Sequence, residues 1–118
     1  MRLVILESPF AGDIEKNLHY GRLCMHDCLV RYGEAPYASH LLYTQPGVLR
    51  DKVSGERELG MEAGFAWRSK ADATVIYTDL GISGGMEEGA RRAEEMSHKV
   101  EYRRLPPHLL KQLEEVSE

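Results

Sequence analysis

Three short segments of the chain carry side chains suited to chemistry on a small ligand. Ser8-Pro9-Phe10-Ala11-Gly12-Asp13 follows an apolar run. Its small residues let a ligand approach the backbone, and the helix after it offers free N–H groups to a phosphate or sugar oxygen. The same residues also suit an ordinary strand-to-helix turn. Pro36-Tyr37-Ala38-Ser39-His40-Leu41-Leu42-Tyr43 places His40 at a strand end. That imidazole can hydrogen-bond a ligand or move a proton, and it can equally tie down the irregular stretch behind it. Asp79-Leu80-Gly81-Ile82-Ser83-Gly84-Gly85-Met86-Glu87-Glu88 is the third segment. Asp79 can accept from a sugar hydroxyl or a base edge. Ser83, Gly84, Gly85 and Met86 open a helix whose backbone donors suit a 5′-phosphate. Glu87 and Glu88 are first-turn acids, which the helix dipole favours whether or not they react.

Several other chemistries are excluded. The chain lacks G-x-G-x-x-G and Walker-A spacing, so neither a dinucleotide cofactor nor ATP is expected. Cys24 and Cys28 lie at i and i+4 of a helical stretch, on one face but badly placed for a disulfide. No second Cys/His pair sits at zinc-finger spacing and His26 points elsewhere, so the thiols read as small half-buried side chains and no metal is expected. Fifteen Lys and Arg against nineteen Asp and Glu give a net charge of −4, the wrong sign for a dedicated nucleic-acid binder. No apolar run approaches the ~18 residues of a membrane span, and Leu3–Leu6 is too short for a signal-peptide core. A cytoplasmic protein is expected.

The elements that must position these segments alternate along 118 residues, enough for one domain over 1–118. Leu3–Leu6 is continuously apolar, as a central strand covered on both faces would be. Ile14, Leu18, Met25, Leu29 and Tyr32, with Gly21 in one slot, predict a helix with Asp13 as N-cap and Gly33 just past its end. Glu34–Ala38 is a weak strand that Pro36 pushes toward an edge. His40–Ser54 reads as a loop with one helical turn at most, and a loop of that length is usually functional. Gly55–Lys70 predicts a helix with Leu59, Ala63, Ala66 and Trp67 inward, widened by Met61 and Phe65. Ala73–Tyr77 is a second central strand, Met86–Ser97 a helix, and Val100–Arg103 a last strand. Pro106-Pro107 opens a helix carrying Leu109, Leu110, Leu113 and Val116. This order predicts an α/β, Rossmann-like three-layer sandwich with a mostly parallel four- or five-stranded sheet, its site beyond the carboxyl ends of the strands.

Taken jointly, five blocks resemble the nucleoside 2-deoxyribosyltransferase-like superfamily, above all its small bacterial and phage members. They are Ser8–Asp13, Pro36–Thr44, Glu56–Gly60, Thr78–Met86 and Val100–Arg103. The resemblance implies a homo-oligomer that cleaves the N-glycosidic bond of a nucleoside or nucleotide, by hydrolysis or deoxyribosyl transfer, with no metal or organic cofactor. A glutamate attacks the anomeric carbon in such relatives, by the logic of a retaining glycosidase. That glutamate lies about two helical turns beyond the phosphate-binding serine. Six residues beyond Ser83 stands Gly89, without a side chain, and Glu88 stands one residue earlier, ~100° around the helix. The expected catalytic pair is therefore Glu88 as nucleophile and Asp79 orienting the ligand, with Glu87, Glu58 or Glu62 as substitutes. The expected binding residues are Ser8, Pro9, Phe10, Gly12, His40, Ser83, Gly84, Gly85 and Met86. A non-catalytic nucleotide binder, a sensor or a sponge, is the competing expectation, because it accommodates Gly89 directly.

Overall fold

The computed structural model describes residues 1–117, with side chains through Glu114. Its elements run β1 (Arg2–Glu7), α1 (Ile14–Val30), β2 (Glu34–Tyr37), α2 (Ser39–Leu42), α3 (Ser54–Arg68), β3 (Ala73–Tyr77), α4 (Gly84–Glu95), β4 (Lys99–Arg103) and α5 (Pro107–Ser117). The four strands form one parallel sheet in the order β2-β1-β3-β4. The apolar runs of β1 and β3 thus take the central places, and β2, with Pro36 in it, takes an edge. From β1 the chain moves outward to β2, then crosses back to β3 and outward again to β4. The order therefore reverses between β1 and β3, and the loops after these two strands part from each other there.

Helices α1 and α5 pack together on one face, and α3 and α4 on the other. The two faces are filled differently. Strand alternation turns Val4, Leu6, Ala73, Val75 and Tyr77 toward α1 and α5, where they meet Leu23, Cys24, Cys28, Leu109 and Leu113 in the main apolar core. Both cysteines are free and fully buried rather than half-buried. Val116, expected to extend the α5 stripe, lies outside the described side chains. The opposite face presents Ile5, Glu7, Thr74 and Ile76 to α3 and α4, and its largest fully buried side chain is a charged one, Arg68.

The helices form where the periodicity places them, but two are rotated about their axes. In α1 Leu29 points outward, as does Tyr32 just past its end, and Asn17, Tyr20 and Asp27 are buried instead. Each of these polar groups has partners: Asn17 Nδ2 donates to the Phe10 and Ala11 carbonyls, and Asp27 accepts from Tyr77 and Arg31. Paired in this way they cost little to bury. Asp13 caps the helix through the Lys16 N–H, while the C-cap is Arg31 and Gly33, at φ 63°, follows two residues later. In α3, Leu59 and Trp67 are 60% and 53% exposed, and the inward face is Gly64 and Arg68, flanked by partly buried Met61 and Phe65. Helix α4 begins at Gly84, two residues before the expected start, because Ser83 is its N-cap. Among the described residues no helix is long and apolar enough to cross a membrane.

Candidate functional site

A cavity of about 290 Å³ opens at the carboxyl end of the sheet, where the strand order reverses. The end of β1, the start of α2, the loop before α3, the inner face of α3 and the N-terminus of α4 all contribute to its walls.

On the β1 side, Ser8 Oγ lies 2.6 Å from His40 Nε2. Burial pushes the His40 pKa down to about 4, so the ring is neutral at pH 7 and exchanges one hydrogen bond with the Ser8 hydroxyl. Thr44 Oγ1 donates to the His40 carbonyl at 2.7 Å and pins the short α2 helix that carries it. Beside them stands an aromatic wall. Tyr43 lines the cavity, hydrogen-bonds Tyr37 through the two hydroxyls, and accepts from Trp67 Nε1 at 3.2 Å. Phe65 lines the facing side from α3.

At α4, the Ser83 hydroxyl accepts from the Met86 N–H at 3.3 Å, closing the third orphan donor of the helix. The Gly84 and Gly85 N–H groups keep the open direction of a helix start, and both residues are exposed and line the cavity. That end attracts an anionic or hydroxyl oxygen.

The floor is a carboxylate. Glu7 closes β1 and, by strand alternation, points to the α3–α4 face. Arg68 Nη2 donates to Glu7 Oε1 at 2.8 Å, and Arg68 Nη1 donates to the Gly89 carbonyl at 2.8 Å and to Thr74 Oγ1 at 2.9 Å. Arg68 Nε is buried without a hydrogen-bond partner among the described residues. Burial raises the Glu7 pKa above the usual carboxylate value, and the charge and hydrogen bond of Arg68 work against that rise. Helix α4 crosses directly over the carboxylate: an ideal Cβ at Gly89 would stand 2.6 Å from Glu7 Oε1.

Of the residues the sequence singles out, Ser8, Phe10, His40, Ser83, Gly84 and Gly85 come together on this cavity. Pro9 and Met86 are buried next to it and do not line it; the Met86 sulfur instead accepts from the Ser83 N–H. Gly12, at φ 101°, lies in a neighbouring groove with Asp51, Lys52 and Arg57. Asp79 is on the other face of the sheet, where its carboxylate accepts from Tyr20 Oη at 2.6 Å and from the Leu105 N–H at 3.0 Å. Through one carboxylate oxygen it braces α1 and the segment before α5, away from the cavity. Glu88 is also displaced from the expected role. It forms ion pairs with Arg91 and Arg92, which hold its carboxyl below the usual range, and it does not line the cavity. Its place in the helix turns it about 100° from Gly89, the position that faces the site. The substitutes fare no better: Glu58 accepts from Ser54, Glu62 faces Arg92 at 3.7 Å, and Glu87 is exposed.

Arg68 and Phe65 are site residues outside the three segments read from the sequence, and Glu7, directly before the first segment, and Tyr43, closing the second, carry no expected role there. The available signal was a single acid ending an otherwise apolar strand. Among the described residues, no three His, Cys, Asp or Glu side chains are grouped as metal ligands.

No curated protein and no solved structure matches the chain. Residues 2–103, which span every strand and every wall of the cavity, match the family described as a domain of unknown function, DUF7768, and the chain belongs to that family.

Proposed function

We propose that the cavity takes a nucleoside or its 5′-monophosphate and cleaves the N-glycosidic bond, by hydrolysis or deoxyribosyl transfer through a carboxylate. One observation carries this reading. The open start of α4 and a buried carboxylate line the same cavity, at the point where the strand order reverses. A phosphate on the Gly84 and Gly85 N–H groups leaves the sugar over the floor and the base toward Tyr43 and Phe65. The volume of about 290 Å³ is near the lower end of the ~300–1,000 Å³ typical of small-molecule sites. The likeness of five sequence blocks to nucleoside 2-deoxyribosyltransferase-like proteins supports the same substrate class. The reading takes the protein to act in the cytoplasm as a homo-oligomer, with Leu59 and Trp67 on the outer side of α3 offering apolar surface to a second copy.

The competing reading, a nucleotide sensor or sponge without turnover, draws on Glu88, whose charge is already spent on Arg91 and Arg92. Incubating the pure protein with a mixed pool of nucleosides and 5′-monophosphates separates the two. Released base and sugar phosphate support the glycosidic reading. Nucleotide retained without released base supports the sponge, and a protein that does neither refutes both readings.

A further inference from the structure

We propose that Glu7 is the carboxylate that reacts with the sugar, and that Gly89 is the residue that makes room for it. The inference rests on the glycosidic reading of the cavity. Three acids line that cavity: Glu7, Asp51 and Glu56. Glu56 is paired with Arg50 at 2.7 Å, and Asp51 belongs to the loop before α3, shared with the neighbouring groove. Glu7 alone projects from the sheet. Its Oε1 is fixed by Arg68, and among the described residues its Oε2 takes no hydrogen bond. The side chain keeps 16% of its exposure, at the cavity.

The helix above is shaped around this group. A Cβ at Gly89 would lie 2.6 Å from Oε1, 2.8 Å from Cδ and 3.1 Å from Oε2, so a side chain there would force the carboxylate out of this position. Gly89 sits in the middle of α4, buried, where alanine would make the better helix. What the glycine permits is the close passage of α4 over the carboxylate. Its carbonyl is also tied to Arg68, the same guanidinium that holds Glu7. Carboxylate, guanidinium and helix backbone are thus fixed in one arrangement, as a pre-positioned reacting group requires.

In the step this implies, a lone pair of Glu7 Oε2 forms a bond to the anomeric carbon. The C–N bond breaks, its electrons stay with the base, and the base nitrogen takes a proton from solvent. Water then attacks the anomeric carbon of the ester. The C–O electrons return to Glu7, one proton is released, and the sum is nucleotide plus water to base plus sugar phosphate.

The test measures base release from nucleoside 5′-monophosphates by wild type, Glu7→Gln and Gly89→Ala, with nucleotide retention measured by dialysis and folding by thermal melt. Glu7→Gln keeps size and an acceptor for Arg68, and should lose about 10³-fold or more in turnover while retaining ligand. Gly89→Ala alters no lining residue but pushes the carboxylate aside, and should lose turnover as well. A 2-fluoro-arabinosyl nucleotide, whose ester forms faster than it hydrolyses, should leave a sugar-phosphate mass on the peptide containing Glu7. Wild-type turnover with an undiminished Glu7→Gln, or an adduct on another carboxylate, overturns the role of Glu7 and leaves the glycosidic reading standing. A wild type that releases no base overturns the glycosidic reading itself, and the role of Glu7 with it.

Discussion

Replacing Arg68 by methionine isolates the energetics of the cavity floor. Methionine fills the space of the aliphatic stem but removes the charge and the three hydrogen bonds to Glu7, Thr74 and Gly89. Arg68 is only 1% exposed, so the Glu7 carboxylate loses its counter-charge with little water to replace it. Breaking a buried pair from one side costs ~3–5 kcal/mol. The pH dependence has a definite sign. Burial already raises the Glu7 pKa, and losing the guanidinium raises it further. A carboxyl whose folded pKa exceeds its unfolded value contributes stability that is complete below the unfolded pKa and is lost as pH rises through the folded one. Arg68→Met should therefore be destabilised more at pH 8 than at pH 5. Adding Glu7→Gln removes the stranded charge, so the double variant should be more stable than the two single costs imply, by a coupling of ~0.5–3 kcal/mol. Urea unfolding of all four proteins, extrapolated to water at both pH values, gives each term. Single costs that add to within ~0.5 kcal/mol, or a loss that ignores pH, would refute the pairing.

Two further outcomes follow from the walls of the cavity. His40, with its pKa lowered from 6.5 to about 4 by burial, leaves the unfolded chain holding more protons between those values. Stability should then fall as pH drops through that window, His40→Gln should flatten the slope, and the ring resonances should titrate near 4 by NMR. Gly64→Ala, a change that normally helps a helix, should cost ~1–3 kcal/mol in unfolding experiments, because its Cβ would meet Ser39 Oγ at 2.7 Å. Adding Ser39→Gly should recover part of that loss, and a stabilised Gly64→Ala would show that α2 yields freely.

The sheet was legible because its central strands need no partner to identify them. Val4–Leu6 and Val75–Ile76 are apolar on both faces, and Pro36 marks its own strand as an edge. Helix existence was equally plain, since Asp13 and Ser83 both act as caps. Helix phase was not. A hydrophobic stripe predicts the buried face only when the interior is apolar, and here Asp27 and Arg68 are buried through partners far along the chain. Leu59 and Trp67 consequently face out where the stripe turned them in. The backbone part of the site, Ser8 with Ser83–Gly85, was readable from strand ends and a helix start. Its carboxylate was not. Glu7 gains its meaning from Arg68 and Gly89, positions separated from it by most of the fold, and no local pattern reports that meeting.

The unlike faces of the sheet also bear on how the molecule opens. Helices α1 and α5 are held by a continuous apolar core, while the layer of α3 and α4 packs a smaller apolar set, Ile5, Ile76, Met86 and Ala93, around one buried guanidinium and its partners. Amide protons beneath α1 should exchange only with global unfolding, whereas the α3–α4 layer can lift as a smaller unit. The cavity lies under that looser layer. A ligand bridging the start of α4 and the floor of the sheet would fasten it, so occupancy would be felt first as slowed exchange in α3 and α4, with the other half of the protein unaware of it.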